Sequence, residues 1–185
     1  MNVTLDGFIA GPNAELDWHF ETWNEEMANH AWEQLSRTDT ILLGRVTYEA
    51  LASYWPQEAA GLDCAREDIA YADMMNNYTK IVFSRTLDKA EWNNTRLIKK
   101  NIKEEIVSLK KQPGKDIIVF GSGKVAAALI QWGLVDEYQI WVHPVILGKG
   151  KPLFKGLPHR LTMNLYKTKI FRSGVVILYY SPHVT

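Results

Sequence analysis

The sequence predicts an α/β fold with a mixed, mostly parallel central sheet flanked by helices and an antiparallel hairpin at its C-terminal end. Two features of the chain support this fold class. In its first part, short continuous apolar runs alternate with amphipathic helical patterns, which is typical of parallel strands joined by crossover helices. In its last part, consecutive strand patterns flank the turn dipeptide Ser173-Gly174, which indicates antiparallel strands.

The predicted strands follow from apolar patterns along the chain. Val3 and Leu5 alternate with polar residues before the turn dipeptide Asp6-Gly7, so a first strand lies at the N-terminus. The further strands are expected at residues 40–44, 80–84, 96–99, 116–121, 135–143, 161–171 and 175–180.

Helices are expected between these strands because apolar residues recur there at helical spacing. The apolar face of a helix over residues 22–36 is expected to consist of Trp23, Met27, Ala28, Ala31, Trp32 and Leu35. A second helix, over residues 46–55, is expected to stop at Pro56, since proline interrupts the helical hydrogen bonds. The remaining predicted helices cover residues 65–77, a segment from Ile102 that stops at Pro113-Gly114, and residues 125–132 with Gly133 as the C-terminal cap.

Length and composition predict one globular domain. The 185 residues contain no repeat, low-complexity tract or linker, so we assign residues 1–185 to a single domain. The 21 basic and 21 acidic residues cancel, and a formal net charge of zero provides no electrostatic attraction to nucleic acid or anionic membrane. The single cysteine, Cys64, excludes an internal disulfide and favours a reducing cytoplasm.

A glycine-rich segment, GSGK at residues 121–124, follows a predicted strand and opens a predicted helix. It is not a P-loop, because that motif needs glycine where Ile118 stands and serine or threonine where Val125 stands. Its two glycines and Ala126 match the G-x-G-x-x-A spacing of dinucleotide loops, although the segment comes late in the chain. An anion cradle and a plain strand-to-helix turn are both compatible with this pattern.

Five segments, in this order along the chain, resemble one family. They are TLDGFIA at 4–10, ILLGRVTYE at 41–49, IVFSRTL at 81–87, VFGSGKVAAALI at 119–130 and LVDEYQIWVHPVILGKGKPLF at 134–154. The family is the reductase formed by the C-terminal domain of the bifunctional riboflavin-biosynthesis deaminase/reductase, which shares the dihydrofolate reductase fold. The resemblance implies a stand-alone, NADPH-dependent reductase, usually a homodimer, on a dihydrofolate reductase-like sheet.

By this resemblance, three segments at strand ends would bind NADPH. Arg45 and Thr47 match the segment that binds the adenosine phosphates, Ser84-Arg85 matches the segment that grips the 2′-phosphate, and residues 121–127 would hold the pyrophosphate. Arginines suit a phosphate monoester, which favours NADPH over NADH. The residues assigned to the cofactor are Ala10, Gly44, Arg45, Thr47, Ser84, Arg85, Gly121, Ser122, Gly123, Lys124 and Val125.

Each of these cofactor assignments has a simpler alternative. Arg45 could form an ion pair within its own helix, Thr47 could contribute to helix capping, and Arg85 could be a solvated loop charge. Lys124 in a first helical turn is unfavourable for the helix dipole unless an anion lies nearby, which supports the functional interpretation.

The sequence indicates fewer residues for the substrate end of the site than for the cofactor. The resemblance implies that the loop over residues 8–18, which includes Ala10, closes over the nicotinamide and excludes water. Asp6 is the acidic residue at this end and the candidate for catalysis, with turn formation by Asp-Gly as its alternative. The candidates for the substrate pocket are Asp6, Trp18, Trp55 and Leu147, and core packing is the alternative for the tryptophans.

The chain departs from the family pattern at several points. One cysteine cannot supply the H-x-E and P-C-x-x-C zinc site of the deaminase half, and we predict no metal site. No motif selects a proton donor among Glu21, Glu25 and Glu26. The first strand begins later than in the family. We therefore expect either residues upstream of Met1 in the native protein or an incomplete pocket edge. Mass spectrometry of the intact native protein would distinguish these two alternatives.

The leading hypothesis is an NADPH-dependent reductase of a small heterocycle, such as the pyrimidine-dione of riboflavin biosynthesis. The alternatives are a non-catalytic NADPH- or nucleotide-binding module, a dihydrofolate reductase-type pterin reductase, and a structural dimer whose glycine turns bind nothing. No apolar run approaches the roughly 20 residues that a membrane span requires, so we expect no membrane partner.

Overall fold

The computed structural model describes residues 1–58 and 66–183. Within these residues the chain forms ten strands and six helices. The strands are β1 (Asn2–Thr4), β2 (Phe8–Ala10), β3 (Thr38–Gly44), β4 (Thr79–Phe83), β5 (Thr95–Ile98), β6 (Asp116–Gly121), β7 (Tyr138–His143), β8 (Lys151–Pro152), β9 (Met163–Ile170) and β10 (Val176–Pro182). The helices are α1 (Asp17–Phe20), α2 (Glu25–Ser36), α3 (Arg45–Glu58), α4 (Arg66–Asn77), α5 (Ile102–Leu109) and α6 (Gly123–Gln131).

These elements belong to two compact units. Unit 1 comprises residues 1–28 and 126–185, and unit 2 comprises residues 29–125. The expected assignment of residues 1–185 to one domain stays a prediction. The cysteine at position 64 lies outside the described residues.

Unit 2 is built on a four-stranded parallel sheet. Its strand order is β5-β4-β3-β6, and each neighbouring pair runs parallel. α3 and α4 separate β3 from β4 in the chain, and α5 separates β5 from β6, so these connections are helical crossovers, whereas residues 84–94 join β4 to β5 without a helix. The predicted alternation of buried strands and helices is therefore confirmed in this unit.

The core of unit 2 lies between the sheet and its helices. Seven buried side chains from three helices, two strands and one loop form it: Leu35, Ile41, Leu43, Tyr48, Met75, Val82 and Trp92. The strand residues among them belong to β3 and β4, which read as continuous apolar runs because parallel strands are covered on both faces.

Unit 1 contains a second four-stranded sheet, with the order β1-β7-β10-β9. β1 and β7 are parallel, whereas β10 is antiparallel to both of its neighbours. β2 and β8 form a separate antiparallel pair. The predicted C-terminal hairpin is confirmed: Gly174 takes a φ of +85° in the turn, and the Phe171 N–H donates to the Val175 carbonyl over 2.9 Å. Hydrogen bonding thus divides the expected central sheet between the two units.

The predicted C-terminal cap of α6 is also confirmed. Gly133 takes a φ of +66°, its N–H donates to the Ile130 carbonyl, and the N–H of Leu134 donates to the Leu129 carbonyl over 3.0 Å. This pair of bonds is the Schellman motif, in which a left-handed residue after the helix satisfies its last carbonyls.

Several local expectations were wrong. Pro56 lies inside α3 instead of ending it. α5 ends at Leu109, before Pro113-Gly114. The segment expected as one loop over residues 8–18 contains β2 and the start of α1.

The expected apolar face of α2 was correct at Met27 and Leu35, which are fully buried, but wrong at Trp23 and Trp32, which are each 41% exposed. Trp32 is five residues from Met27, which rotates it away from the buried face of a helix. Trp23 precedes α2 and stacks on Trp141, with ring centroids 6.1 Å apart.

Candidate functional site

Three predicted segments meet at one edge of the parallel sheet of unit 2. In the strand registers, Gly44 is paired with Phe83 and Leu43 with Gly121. The residues that follow β4, β3 and β6 therefore leave the sheet side by side. With neighbouring strands about 4.8 Å apart, the three strand ends span roughly 10 Å. This is the carboxyl edge, where open parallel sheets bind ligands.

Glycines allow the chain segments at this edge to approach closely. A Cβ added to Gly44 would lie 2.5 Å from the hydroxyl oxygen of Ser122, and one added to Gly121 would lie 3.0 Å from that of Thr47. Gly121 takes a φ of +145°, which side chains rarely allow, and its peptide bond to Ser122 is cis. Two glycine backbones and two hydroxyl groups are thus brought together at this edge.

The first turn of α6 provides hydrogen-bond donors at the same edge. Gly123, Lys124 and Val125 form this turn, and N–H groups in a first helical turn have no partner within the helix. The turn carries no acidic residue, and Lys124 is exposed. Backbone donors, the positive end of the helix dipole and a lysine together suit an anion.

Arg45, the first residue of α3, forms an ion pair within its own helix. Its guanidinium donates to both carboxylate oxygens of Glu49, at 3.1 and 3.0 Å. The two side chains are 44% and 46% exposed, so the pair contributes only about 0.3–0.5 kcal/mol. A doubly charged phosphate can replace so weak a partner, and the pair does not exclude the predicted phosphate role.

The hydroxyl of Ser84 shapes the turn after β4. It accepts hydrogen bonds from the N–H groups of Thr86 at 3.2 Å and of Leu87 at 2.9 Å, and Ser84 is buried. The structure therefore gives Ser84 a turn-forming role. Arg85, in contrast, is exposed at this turn.

In unit 1, Asp6 connects two loops. Its carboxylate accepts hydrogen bonds from the Thr4 hydroxyl at 2.5 Å and from the N–H groups of Leu147 and Gly148 at 3.3 and 2.8 Å. These bonds, the Thr4 bond first, lower the pKa of Asp6 below its usual range. The carboxylate is therefore ionised at neutral pH and has no proton to donate.

The other candidates for the substrate pocket differ in burial. Trp18 is buried in unit 1, edge-on to His143 with ring centroids 5.2 Å apart. Trp55 packs in unit 2 against Tyr71, with ring centroids 5.2 Å apart, beside the core. Among the described residues, the buried indole N–H groups of both tryptophans have no hydrogen-bond partner. Leu147 is half-buried.

The predicted cofactor residues are divided between the units. Ala10 is buried in β2 of unit 1. Gly150 lies so close to the Ala10 carbonyl oxygen that position 150 has no room for a side chain. All the other predicted cofactor residues belong to unit 2.

A buried polar chain in unit 1 was missed by sequence reasoning. His143 is fully buried, and its Nδ1 lies 2.7 Å from the Thr22 hydroxyl while its Nε2 lies 3.2 Å from Oδ1 of Asn2. Burial, with smaller contributions from His19 and the N-terminal amino group, lowers the pKa of His143 to about 4. A neutral ring with a proton on Nε2 satisfies both bonds. The only sequence signal was a histidine within an apolar strand pattern.

In residues 1–58 and 66–183, no group of three or more His, Cys, Asp or Glu side chains is arranged to hold a metal ion. In the same residues, no helix has the length and apolar character needed to cross a membrane.

The RibD C-terminal domain model matches residues 1–177 of the chain. The chain belongs to the RibD C-terminal domain family. The chain is similar in sequence to the uncharacterized protein YyaP of Bacillus subtilis (strain 168). The two are 38% identical over 178 residues, which cover 96% of this chain and 90% of that protein.

Solved structures share the fold of this RibD-type domain. The putative riboflavin biosynthesis protein from Shewanella sp. PV-4 is similar with a TM-score of 0.76 at 23% identity, covering 100% of this chain and 97% of that one. Dihydrofolate reductase from Enterococcus faecalis, complexed with NADP(H), is similar with a TM-score of 0.63 at 16% identity, covering 99% and 94%. The predicted dihydrofolate reductase-like fold is therefore confirmed.

The residues at the carboxyl edge of unit 2 of this RibD-type domain fit the phosphates of a dinucleotide. Glycine backbones leave room for close approach, Ser122 and Thr47 contribute hydroxyl groups, and α6 contributes backbone donors. The exposed cations Arg45, Arg85 and Lys124 contribute the positive charge that several phosphate groups require.

Proposed function

We propose that this protein is an NADPH-dependent reductase that transfers a hydride to a small heterocyclic substrate, such as the pyrimidine-dione of riboflavin biosynthesis. The observation that carries the proposal is the convergence of three phosphate-compatible segments on one sheet edge of unit 2. Membership of the RibD C-terminal domain family, a reductase-type family, supports the same conclusion.

Within unit 2, each segment has a distinct task in this proposal. The first turn of α6, with Ser122, binds the pyrophosphate through backbone and hydroxyl donors. Arg45 exchanges its partner Glu49 for an adenosine phosphate, and Arg85 binds the 2′-phosphate with a planar, multidentate donor group. Bound NADPH would supply the hydride.

The proton that completes the reduction does not come from the carboxyl group of Asp6. The carboxylate is ionised at neutral pH, and its three hydrogen bonds lower its pKa further, so it can orient a donor or hold the loop at Leu147 and Gly148. The assignment of Asp6, Trp18 and Leu147 to the substrate end rests on the family resemblance.

Titration of the protein with NADPH and with NADH, followed by nicotinamide fluorescence, tests the proposal. We expect tighter binding of NADPH, and we expect Arg85→Ala to weaken NADPH about tenfold or more while NADH binding changes little, because one charged phosphate contact is lost. Arg160→Ala, which removes an exposed arginine of unit 1, is the matched control. Equal affinity for the two nucleotides would reject the roles given to Arg45 and Arg85.

A non-catalytic nucleotide-binding module is the second candidate. The ionised state of Asp6 favours it, since a module without proton chemistry needs no donor. NADPH binding without oxidation in the presence of pyrimidine, pterin or quinone substrates would support this candidate, and turnover of a pterin would indicate a dihydrofolate reductase-type activity.

The proposal includes a cytoplasmic location and a homodimeric state. A reducing compartment agrees with a sequence that has one cysteine. A homodimer agrees with β9, which lies at the edge of its sheet and exposes Leu165, Tyr166 and Ile170.

A further inference from the structure

We propose that Tyr48 and Trp92 position the turn carrying Arg85, and thereby set the preference of unit 2 for nucleotides with a 2′-phosphate. This inference rests on the proposed function, because it assigns Arg85 to that phosphate. Neither aromatic residue was selected by sequence reasoning, and neither needs to touch the nucleotide.

The segment from Ser84 to Trp92 is held at both of its ends. At the first end, the Ser84 hydroxyl accepts hydrogen bonds from the N–H groups of Thr86 and Leu87. Between the ends, Leu87 and Ala90 pack on the core of unit 2. The exposed guanidinium of Arg85 therefore extends from a segment whose backbone is fixed by its neighbours.

Trp92 holds the second end through three different contacts. Its backbone N–H donates to the hydroxyl of Tyr48 over 3.0 Å, and its indole N–H donates to Oδ1 of Asn76 over 2.7 Å. The ammonium group of Lys80 lies 4.5 Å from the centroid of the indole ring, which is within the range of a cation–π interaction. Trp92 is only 7% exposed, so these contacts are shielded from water.

The Tyr48 hydroxyl links this segment to the helix that carries Arg45. Tyr48 lies in the first turn of α3, three residues after Arg45, and its ring is buried. Because a helical turn is rigid, the bond from Trp92 to Tyr48 fixes the 84–92 segment relative to the start of α3. The hydrogen bond from the Trp92 N–H to the Tyr48 hydroxyl thus connects the backbone segments that carry Arg85 and Arg45.

The connection matters for the 2′-phosphate because multidentate arginine contacts are sensitive to geometry. A guanidinium that forms two parallel bonds loses most of its advantage when its backbone moves by about 1 Å. The phosphates bound by α6 would not depend on this bond. Tyr48 and Trp92 are therefore positioning residues for the 2′-phosphate.

The test compares 2′,5′-ADP with 5′-AMP, which differ in the 2′-phosphate, by isothermal titration calorimetry. Tyr48→Phe keeps the buried ring and removes the acceptor of the Trp92 N–H. We expect the affinity for 2′,5′-ADP to fall about tenfold and that for 5′-AMP to stay within about twofold. Tyr180→Phe, in unit 1, is the matched control and should leave both affinities unchanged.

Trp92→Phe provides a second variant in case Tyr48→Phe folds poorly. It removes the bond to Asn76 and keeps an aromatic ring near Lys80, and it should lower the affinity for 2′,5′-ADP in the same selective way. If the ratio of the two affinities stays at the wild-type value in both variants, the positioning role is overturned. This includes the case in which both ligands lose affinity equally. The proposed function would remain intact. A wild-type protein that does not prefer 2′,5′-ADP would overturn the proposed NADPH preference and this inference with it.

Discussion

At the scale of single residues, His143 couples the stability of unit 1 to pH. Its ring is fully buried, and burial lowers its pKa from about 6.5 to about 4. Between these two values the unfolded chain binds a proton that the folded protein does not. The contribution of His143 is therefore fully present above pH 6.5 and is lost as the pH falls toward 4.

We predict that this contribution amounts to about 3 kcal/mol of unfolding free energy between pH 7 and pH 4. Denaturant unfolding of the wild type and of His143→Gln at both pH values measures it. The glutamine amide can donate to Asn2 and accept from Thr22 without titrating, so the variant should lose less stability on acidification. His159→Gln changes an exposed histidine and serves as the control. The same acid loss in both variants would contradict the prediction.

At the scale of elements, a buried lysine joins the end of α4 to the start of β4. The ammonium group of Lys80 donates to the backbone carbonyls of Met75, Asn76 and Tyr78 at 2.8–2.9 Å. The last carbonyls of a helix have no partner within it, so Lys80 acts as an internal C-terminal cap. Lys80 is fully buried, and burial lowers its pKa to about 8.

Removal of this cap should destabilise unit 2 strongly. Lys80→Met keeps the length of the side chain but leaves three carbonyls without their donor, and we expect a loss of roughly 2–4 kcal/mol in unfolding free energy at pH 7. Denaturant unfolding followed by circular dichroism measures the loss. Lys89→Met, at a position where the side chain is 77% exposed, should change the unfolding free energy by less than about 0.5 kcal/mol. Equal stabilities of the two variants would show that Lys80 is not a cap.

At the scale of the whole molecule, the exposed edge strand β9 leads to a prediction about assembly. Leu165 is 50% exposed and Ile170 is 72% exposed on this edge. Edge strands with apolar side chains tend to be covered by another chain. We expect the protein to be a homodimer that pairs through β9.

Size-exclusion chromatography with light scattering tests this assembly. The expected mass is about 42 kDa, twice the chain mass of 21.2 kDa. The double variant Leu165→Lys and Ile170→Lys should shift the protein to the mass of one chain, because like charges would face each other across the two-fold pairing. Ile69→Lys, at an exposed apolar position of unit 2, should leave the mass unchanged. A monomeric wild type would reject the homodimer.

Much of the architecture could be predicted from the sequence because it depends on local patterns. The apolar runs of β3, β4 and β6 identified buried parallel strands, and Gly133 marked the end of α6. The segments after these three strands were grouped correctly within unit 2, since parallel strands place their carboxyl ends at one edge. Long apolar runs and glycine turns can be identified from neighbouring residues alone.

Other features could not be predicted because they depend on contacts between distant parts of the chain. Trp23 was assigned to a buried helical face, but it stacks on Trp141, more than a hundred positions away. The sequence also did not indicate that the Asp6 carboxylate accepts hydrogen bonds from the backbone N–H groups of Leu147 and Gly148. A pattern of residue types gives no information on which distant partner a side chain meets.

By itself, the sequence determined the α/β class, the C-terminal hairpin and the three segments at the carboxyl edge, because periodicity, turn residues and motif order are local properties. Only the tertiary structure decided the hydrogen-bond partners of Asp6, the lowered pKa of His143 and the link between Tyr48 and Trp92. The physical reason is that pKa values and hydrogen-bond partners depend on burial and on neighbours brought together by folding.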